Sequence, residues 1–394
     1  MTYFSLLPID IWLNESHIKI ELINKKNEKF LSKSLSHYLV QCKSNIKDYN
    51  NDWDSMKRIT NPYEYIHTPL TNLKYCISKY KPISRAFFKL IEIYNTFNLE
   101  IDFAHKNIKS FHLAEGPGGF VEAMTYLRKN TRDKYYGMTL IDNNNNNIPS
   151  WKKCNNLLEK NKNIILEYGL DKTGNLFCPE NLIYCIEKYG HKMDFITADG
   201  GFDFSENFNT QENQASRLIL TEIIYAILMQ KQNGSFVLKM YDIFLKSSVE
   251  FIYLLNCLYK KVYIIKPNTS RFANSEKYIV CKHFRFSNID FIKQKLISII
   301  KVLYNIDFKK YNIKSILNIP LQHIYINQIE EINAIFGNQQ IETITNTIKL
   351  IENKKSDKIL QYKNNNINKC IQWCVKNNIP YNNYNQYTNL FKKS

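Results

Sequence analysis

The chain has 394 residues, 44% of them hydrophobic and 14% aromatic, which is enough apolar material to bury a core and excludes wholesale disorder. Lys and Arg outnumber Asp and Glu by 53 to 36, and the resulting net charge of +17 suits a polyanionic partner or an acidic membrane surface without choosing between them. Nine scattered Cys argue against a disulfide scaffold and for reduced thiols in the cytoplasm.

Residues 1–75 mix charged and apolar residues at loosely helical spacing and are expected to form a helical or irregular extension. The apolar start of the chain carries Asp10 and no basic run, so it does not read as a signal peptide. Across residues 76–286 the pattern becomes strand-length apolar runs separated by helical segments, which predicts an α/β domain. The expected strands are Phe111–Ala114, Tyr135–Leu140, Asn163–Glu167, Asp194–Ala198, Ser235–Met240, Val262–Lys266 and Tyr278–Lys282, with helices near 119–129, 180–189, 212–231 and 247–259. The apolar run Val249–Tyr259 is too short to span a bilayer, so no membrane segment is expected. Residues 287–394 are rich in Ile, Lys and Asn at helical spacing and read as a mainly helical accessory region, with a polar tail from Asn364 whose composition suits disorder. Cys370 and Cys374 lie one helical turn apart, but no second pair completes a zinc site, and they read as packing residues.

Two features carry chemistry. Ala114-Glu115-Gly116-Pro117-Gly118-Gly119-Phe120 follows a strand and opens a helix, a sharp turn at which backbone can approach a ligand closely. The missing third glycine at dinucleotide spacing and the Pro within the turn count against a nicotinamide cofactor. The second feature is a set of charges at element ends: Lys89 on a helix, Asp199 ending a strand before Gly200-Gly201, Lys239 within the apolar strand Phe236–Met240, and Glu276 opening the last strand. Each alone reads equally well as a salt-bridge partner or, for Lys239, as a lysine snorkelling from a strand.

The loop resembles motif I of the FtsJ-like 2′-O-methyltransferases, especially the branch that methylates mRNA caps. The resemblance continues through Tyr136–Leu140, Pro179–Asn181, Thr197–Phe202, Val237–Asp242 and Pro267–Cys281, about half the chain in the family's order. Within that branch, Ile66–Pro69, Ser78–Pro82 and Ala114–Phe120 look most like proteins of large cytoplasmic DNA viruses. The resemblance implies a Rossmann-like class I methyltransferase fold, a seven-stranded mixed sheet flanked by helices, with helical N- and C-terminal additions.

It also implies S-adenosyl-L-methionine as cofactor, bordered by Glu115, Gly116, Pro117, Gly118, Gly119, Phe120, Thr139 and Asp199. Asn175 stands where relatives usually have Asp facing the adenine, and its carbonyl oxygen can still accept that hydrogen bond. Lys89, Asp199, Lys239 and Glu276 match the family's catalytic tetrad, in which an amine removes the ribose hydroxyl proton. Arg85 and Arg271 are expected to face RNA, with Lys266 nearby, and Glu206, Asn209 and Glu212 the cap. The implied partners are a capped mRNA 5′ end and other capping or transcription proteins, while oligomeric state stays open. Three readings result: cap-1 methylation at the first transcribed nucleotide, ribosomal or transfer RNA ribose methylation, and a non-catalytic RNA-binding subunit. The tetrad disfavours the third, and the Ser270–Glu276 and Tyr136–Leu140 segments favour the first over the second.

Overall fold

The computed structural model describes residues 2–24, 28–70, 75–104, 106–142, 148–201, 210–353 and 356–382. Strands β1 (Tyr3–Ser5) and β2 (Ile18–Ile23) lie in the N-terminal stretch. The seven expected strands follow as β3 (Lys109–Leu113), β4 (Lys134–Met138), β5 (Ile164–Glu167), β6 (Met193–Ala198), β7 (Gln230–Met240), β8 (Tyr259–Ile265) and β9 (Lys277–Phe284), and β10 (Asn312–Leu317) lies beyond them. One sheet has the order β1-β8-β9-β7-β6-β3-β4-β5, so it holds eight strands rather than seven. The additional edge is β1, antiparallel to β8 through the register Tyr3↔Ile265. A three-residue strand with one half-buried side chain carries too little alternation to be read from composition.

The parallel core β7-β6-β3-β4-β5 consists of strands buried on both faces, and for that reason they read as near-continuous apolar runs. Phe236 and Leu238 face one core, with helices α7 (Pro179–Tyr189), α8 (Gln211–Met229) and α9 (Lys246–Leu258); Val237 faces the other, with α3 (Ala86–Thr96), α4 (Leu99–Asp102), α5 (Gly119–Arg128) and α6 (Asn155–Lys160). Helix α8 is buried on almost every side, and its all-round apolar sequence follows from that position. Strand β9 runs antiparallel between β7 and β8, pairing Lys239 with Tyr278.

Both flanking regions return to this domain. β2 pairs antiparallel with β10, joining the N-terminal stretch to the C-terminal one. Helices α1 (Lys33–Ser44) and α2 (Asn50–Thr60) pack on α11 (His323–Asn353). Helix α12 (Ser356–Lys376) runs through the Asn-rich segment from Asn364, burying Ile367, Cys370, Trp373 and Cys374 on one face. The i, i+3, i+4 apolar spacing overrides the polar composition there.

Candidate active site

Strand β3 leads to β4 and β5 on one side of the sheet while β6 and β7 lie on the other, so a crevice opens at the carboxyl ends of β3 and β6. A cavity of about 980 Å³ occupies it, lined by Gly116 and Thr139 after β3 and β4, by Asn175, Leu176 and Phe177, and by Asp199 after β6. Lys239, Arg271 and Glu276 line it too, as do residues of α1, α2 and α11 from the two flanking regions.

Of the residues expected around a cofactor, Gly116, Thr139, Asn175 and Asp199 reach the cavity and the others do not. Glu115 turns away: its Oε1 accepts the N–H groups of Phe120 at 2.7 Å and Val121 at 3.0 Å, closing the first turn of α5. Burial, only partly offset by those bonds, pushes its carboxyl up to about 8. Phe120 is a core side chain beside Tyr278, and Gly119 packs against the start of α3, where a Cβ would collide with Ser84 Oγ. Gly118 holds φ +112°, and Pro117 is half-buried beside it. The motif thus shapes the turn more than it touches the cavity. Asn175 Oδ1 accepts the Phe177 N–H at 3.0 Å, so its amide is anchored while facing the crevice.

The four tetrad side chains meet as two ion pairs. Lys89 Nζ lies 2.8 Å from Glu276 Oε1, and Ser270 Oγ donates to the same carboxylate at 2.7 Å. Lys239 Nζ donates to the Asp199 carbonyl at 2.8 Å and stands 3.3 Å from its carboxylate. Tyr278 connects the pairs: its hydroxyl donates to Asp199 Oδ1 at 2.6 Å, and Lys89 Nζ sits 5.7 Å from its ring centre. The sequence reading missed Tyr278, although the two-residue period from Glu276, immediately before β9, turns both side chains to the same side.

Electrostatics separate the two lysines. Burial lowers the Lys89 pKa, and the Glu276 carboxylate opposes this without overcoming it. Burial also acts against the Lys239 ammonium, but Asp199, Tyr241 and Glu276 outweigh it and hold its pKa above the ordinary lysine value. Burial disfavours the Glu276 carboxylate, yet Lys89, Lys239 and Arg85 together hold its pKa far below the usual range. Behind them lies Glu222 on α8, whose carboxyl burial pushes up to about 8.

The expected RNA contacts divide. Arg271 lines the cavity but is held by Glu64 through a two-point ion pair at 2.6 and 3.0 Å. Arg85 acts on Glu276, and its Nη1 is buried with no partner among the described residues. Lys266, expected to meet phosphate, is instead buried and donates to Asn274 and to the Glu276 carbonyl, pinning the loop before β9. Glu212, expected at the cap, is buried as well: its Oε1 accepts the Phe244 and Leu245 N–H groups and its Oε2 meets Lys29 at 2.8 Å. That carboxylate joins α8 to the segment after β7 and is not available to a ligand. Glu206 and Asn209 lie outside the described residues.

Comparison with known proteins places this geometry. A profile described as FtsJ-like methyltransferase matches residues 82–284. The chain is 30% identical over 349 residues to "Cap-specific mRNA (nucleoside-2′-O-)-methyltransferase 2" of Danio rerio, an alignment covering 80% of this chain and 43% of that protein. It is 30% identical over 302 residues to "Cap-specific mRNA (nucleoside-2′-O-)-methyltransferase 1" of Mus musculus and 29% identical over 302 to that of Homo sapiens. Both alignments cover 71% of this chain and 34% of the relative, so the chain spans less than half the length of these curated proteins. All three are vertebrate proteins, and the viral likeness rests on the motifs alone.

Proposed function

Because the chain belongs to the FtsJ-like methyltransferase family, we propose that it transfers a methyl group to the ribose 2′-oxygen of the first transcribed nucleotide of capped mRNA, converting cap-0 to cap-1. The observation that carries this reading is the meeting of Lys239, Asp199 and Glu276 on the wall of one cavity at the cofactor crevice, with Lys89 buried behind it and paired to Glu276. The names of the animal relatives support the capped substrate.

The crevice suits S-adenosylmethionine in volume and chemistry. Leu140, Leu176 and Phe177 offer apolar walls, and Thr139, Asn175 and the Gly116 backbone add polar groups, a balance common in small-molecule pockets. S-adenosylmethionine supplies a methyl group activated on a sulfonium, and the remaining task is to orient the 2′-hydroxyl and remove its proton. In this reading a neutral Lys239 amine takes that proton as the oxygen–carbon bond forms. The ammonium that results is the form Asp199 stabilises, which makes Lys239 a strong base that must release a proton to solvent before the next turnover. The Lys89–Glu276 pair, braced by Ser270, holds the ribose in line. The nine cysteines are unpaired, which supports action in a reducing compartment such as the cytoplasm.

The test compares methyl transfer to a 7-methylguanosine-capped RNA and to the same RNA with a 5′-triphosphate, followed by mapping of the methylated ribose. Faster transfer to the capped RNA at the first nucleotide is expected. Equal rates, or a methyl group on an internal ribose, reject the cap assignment.

A further inference from the structure

The cavity extends from the crevice to α2 of the N-terminal region, where Trp53 and Lys57, one turn apart, and Asn61, capping the helix end, form a stripe on its wall. We propose that this stripe is a nucleotide subsite in which the Trp53 indole stacks on the base beside the methylated ribose, while Lys57 and Arg271 face its phosphates. The proposal rests on the RNA reading given above.

Three observations lead there. Trp53 is only half-buried and has no aromatic stacking partner among the described residues, although it lines a cavity. A large flat ring left facing open space in this way is a platform for another ring. Second, the polar groups around it are arranged by one buried carboxylate. Glu64 is fully buried, and burial alone would raise its pKa, but the Arg271 ion pair with His67 and Asn61 brings it down to about 2, so it is ionised. Because it accepts a 2.7 Å hydrogen bond from Asn61 Nδ2, the amide orientation of Asn61 is fixed. That leaves Asn61 Oδ1, buried on the cavity wall and without a partner among the described residues, as the acceptor for a ligand N–H or O–H.

Third, the charges match a nucleotide. Lys57 and Arg271 are both on the lining, and each is paired with a single acid, Asp54 and Glu64 respectively. A guanidinium held at two of its donors by Glu64 keeps its other donor atoms for a second acceptor. Stacking, one hydrogen-bond acceptor and two cations are the elements of single-stranded nucleic-acid binding. Gly116, Thr139 and Asn175, the groups assigned above to the methyl donor, lie on other elements of the same lining, which leaves the stripe to the second substrate.

The experiment measures equilibrium binding of a short 7-methylguanosine-capped RNA to the full chain in the presence of S-adenosylhomocysteine, by fluorescence anisotropy of the labelled RNA. Trp53→Leu keeps the apolar bulk but loses the π face and should weaken RNA binding roughly ten-fold. Trp53→Phe should stay within about three-fold of the wild type, and S-adenosylhomocysteine affinity should be the same in all three proteins. Lys57→Ala should weaken RNA binding and reduce its salt dependence by about one charge. Unchanged RNA affinity in Trp53→Leu, with the wild type binding RNA normally, overturns the subsite. Failure of the RNA reading looks different, because the wild type itself would then neither bind nor methylate the RNA.

Discussion

Lys239 Nζ is held twice by Asp199, through a 2.8 Å hydrogen bond to its carbonyl and a 3.3 Å approach to its carboxylate. A lysine fixed at both points has one orientation for its remaining donor or lone pair. Replacing it with Ala removes the proton acceptor without touching Gly116, Thr139 or Asn175. Lys239→Ala should therefore reduce methyl transfer by at least about 10²-fold, a typical contribution of a positioned base, while calorimetry shows S-adenosylmethionine affinity within a few-fold of wild type. Substantial residual transfer would remove Lys239 from the proton path.

Since Asp199 holds the Lys239 pKa above its ordinary value, the neutral amine is scarce at neutral pH and the rate should climb with alkaline pH. Asp199→Asn takes away the carboxylate charge, so the Lys239 pKa falls and the rising limb of the pH–rate profile should move to lower pH. The plateau should fall as well, because the amide no longer accepts the Tyr278 and Lys239 protons as strongly. Superimposable pH profiles for the two proteins would show that Asp199 does not set Lys239 basicity.

Glu115 carries a separate pH signature, in stability. Its folded pKa, about 8, lies above the ordinary 4.5 because the carboxyl is buried. The neutral acid is the form the fold accepts, so this contribution is complete below pH 4.5 and is lost as pH rises through about 8. Glu115→Gln keeps an oxygen for the Phe120 and Val121 N–H groups and cannot ionise. Thermal unfolding of the variant should change less than that of the wild type between about pH 6 and about pH 9, by roughly 2–4 °C per kcal/mol for a domain of this size. An equal alkaline decline in both would mean that Glu115 titrates normally.

What the sequence alone makes legible depends on where each signal lives. Lys239 stood out because a charge inside Phe236–Met240 breaks an apolar run, and Asp199 because it ends another; strand pattern and strand end are local properties. The seven central strands were legible for the same reason. Tyr278 was hidden because an aromatic residue in a strand looks like core, and only its pairing with Lys239 across β7 and β9 gives its hydroxyl a purpose. Glu212 was misread in the opposite sense: an acid in a polar stretch looks solvated, while its partners Lys29 and the 244–245 amides are remote in sequence. The strand β1 and the α2 wall depend wholly on such long-range contacts.

Gly116 and Gly118 of the cofactor turn should fail differently. A Cβ on Gly116 would lie 2.7 Å from the Ser150 carbonyl oxygen and 2.9 Å from Thr139 Oγ1, so Gly116→Ala must displace groups at the cavity rim and should weaken S-adenosylmethionine binding. A Cβ on Gly118 would make ordinary contacts with Trp151, Leu157 and Cys154, all at 3.7 Å or more, but the +112° φ disfavours any side chain. Gly118→Ala should therefore cost about 1–3 kcal/mol of stability and leave cofactor affinity nearly unchanged in the folded protein. Denaturant melts and calorimetry separate the two effects; a large affinity loss in Gly118→Ala alone would reverse the assignment.

Arg217 links the C-terminal region to the cofactor crevice. The Arg217 guanidinium on α8 lies 4.0 Å from the ring centre of Phe177, a cavity-lining residue, and 4.6 Å from that of Phe308, which lies between α10 (Asp290–Asn305) and β10. Its Nε is buried with no partner among the described residues, so stacking rather than an ion pair explains its place. Burial lowers its pKa, an electrostatic cost that the two ring faces offset in part. Removing the guanidinium would leave Phe177 supported on one side only, and a loosened wall should weaken cofactor binding without disturbing Lys239. Arg217→Ala is expected to raise the KM for S-adenosylmethionine several-fold, in line with about 0.5–2 kcal/mol for a cation over an aromatic face, with kcat little changed. Arg217→Lys should not restore it, because an ammonium lacks the flat surface that fits between two rings. An unchanged KM in both variants would show that Phe177 keeps its position without Arg217.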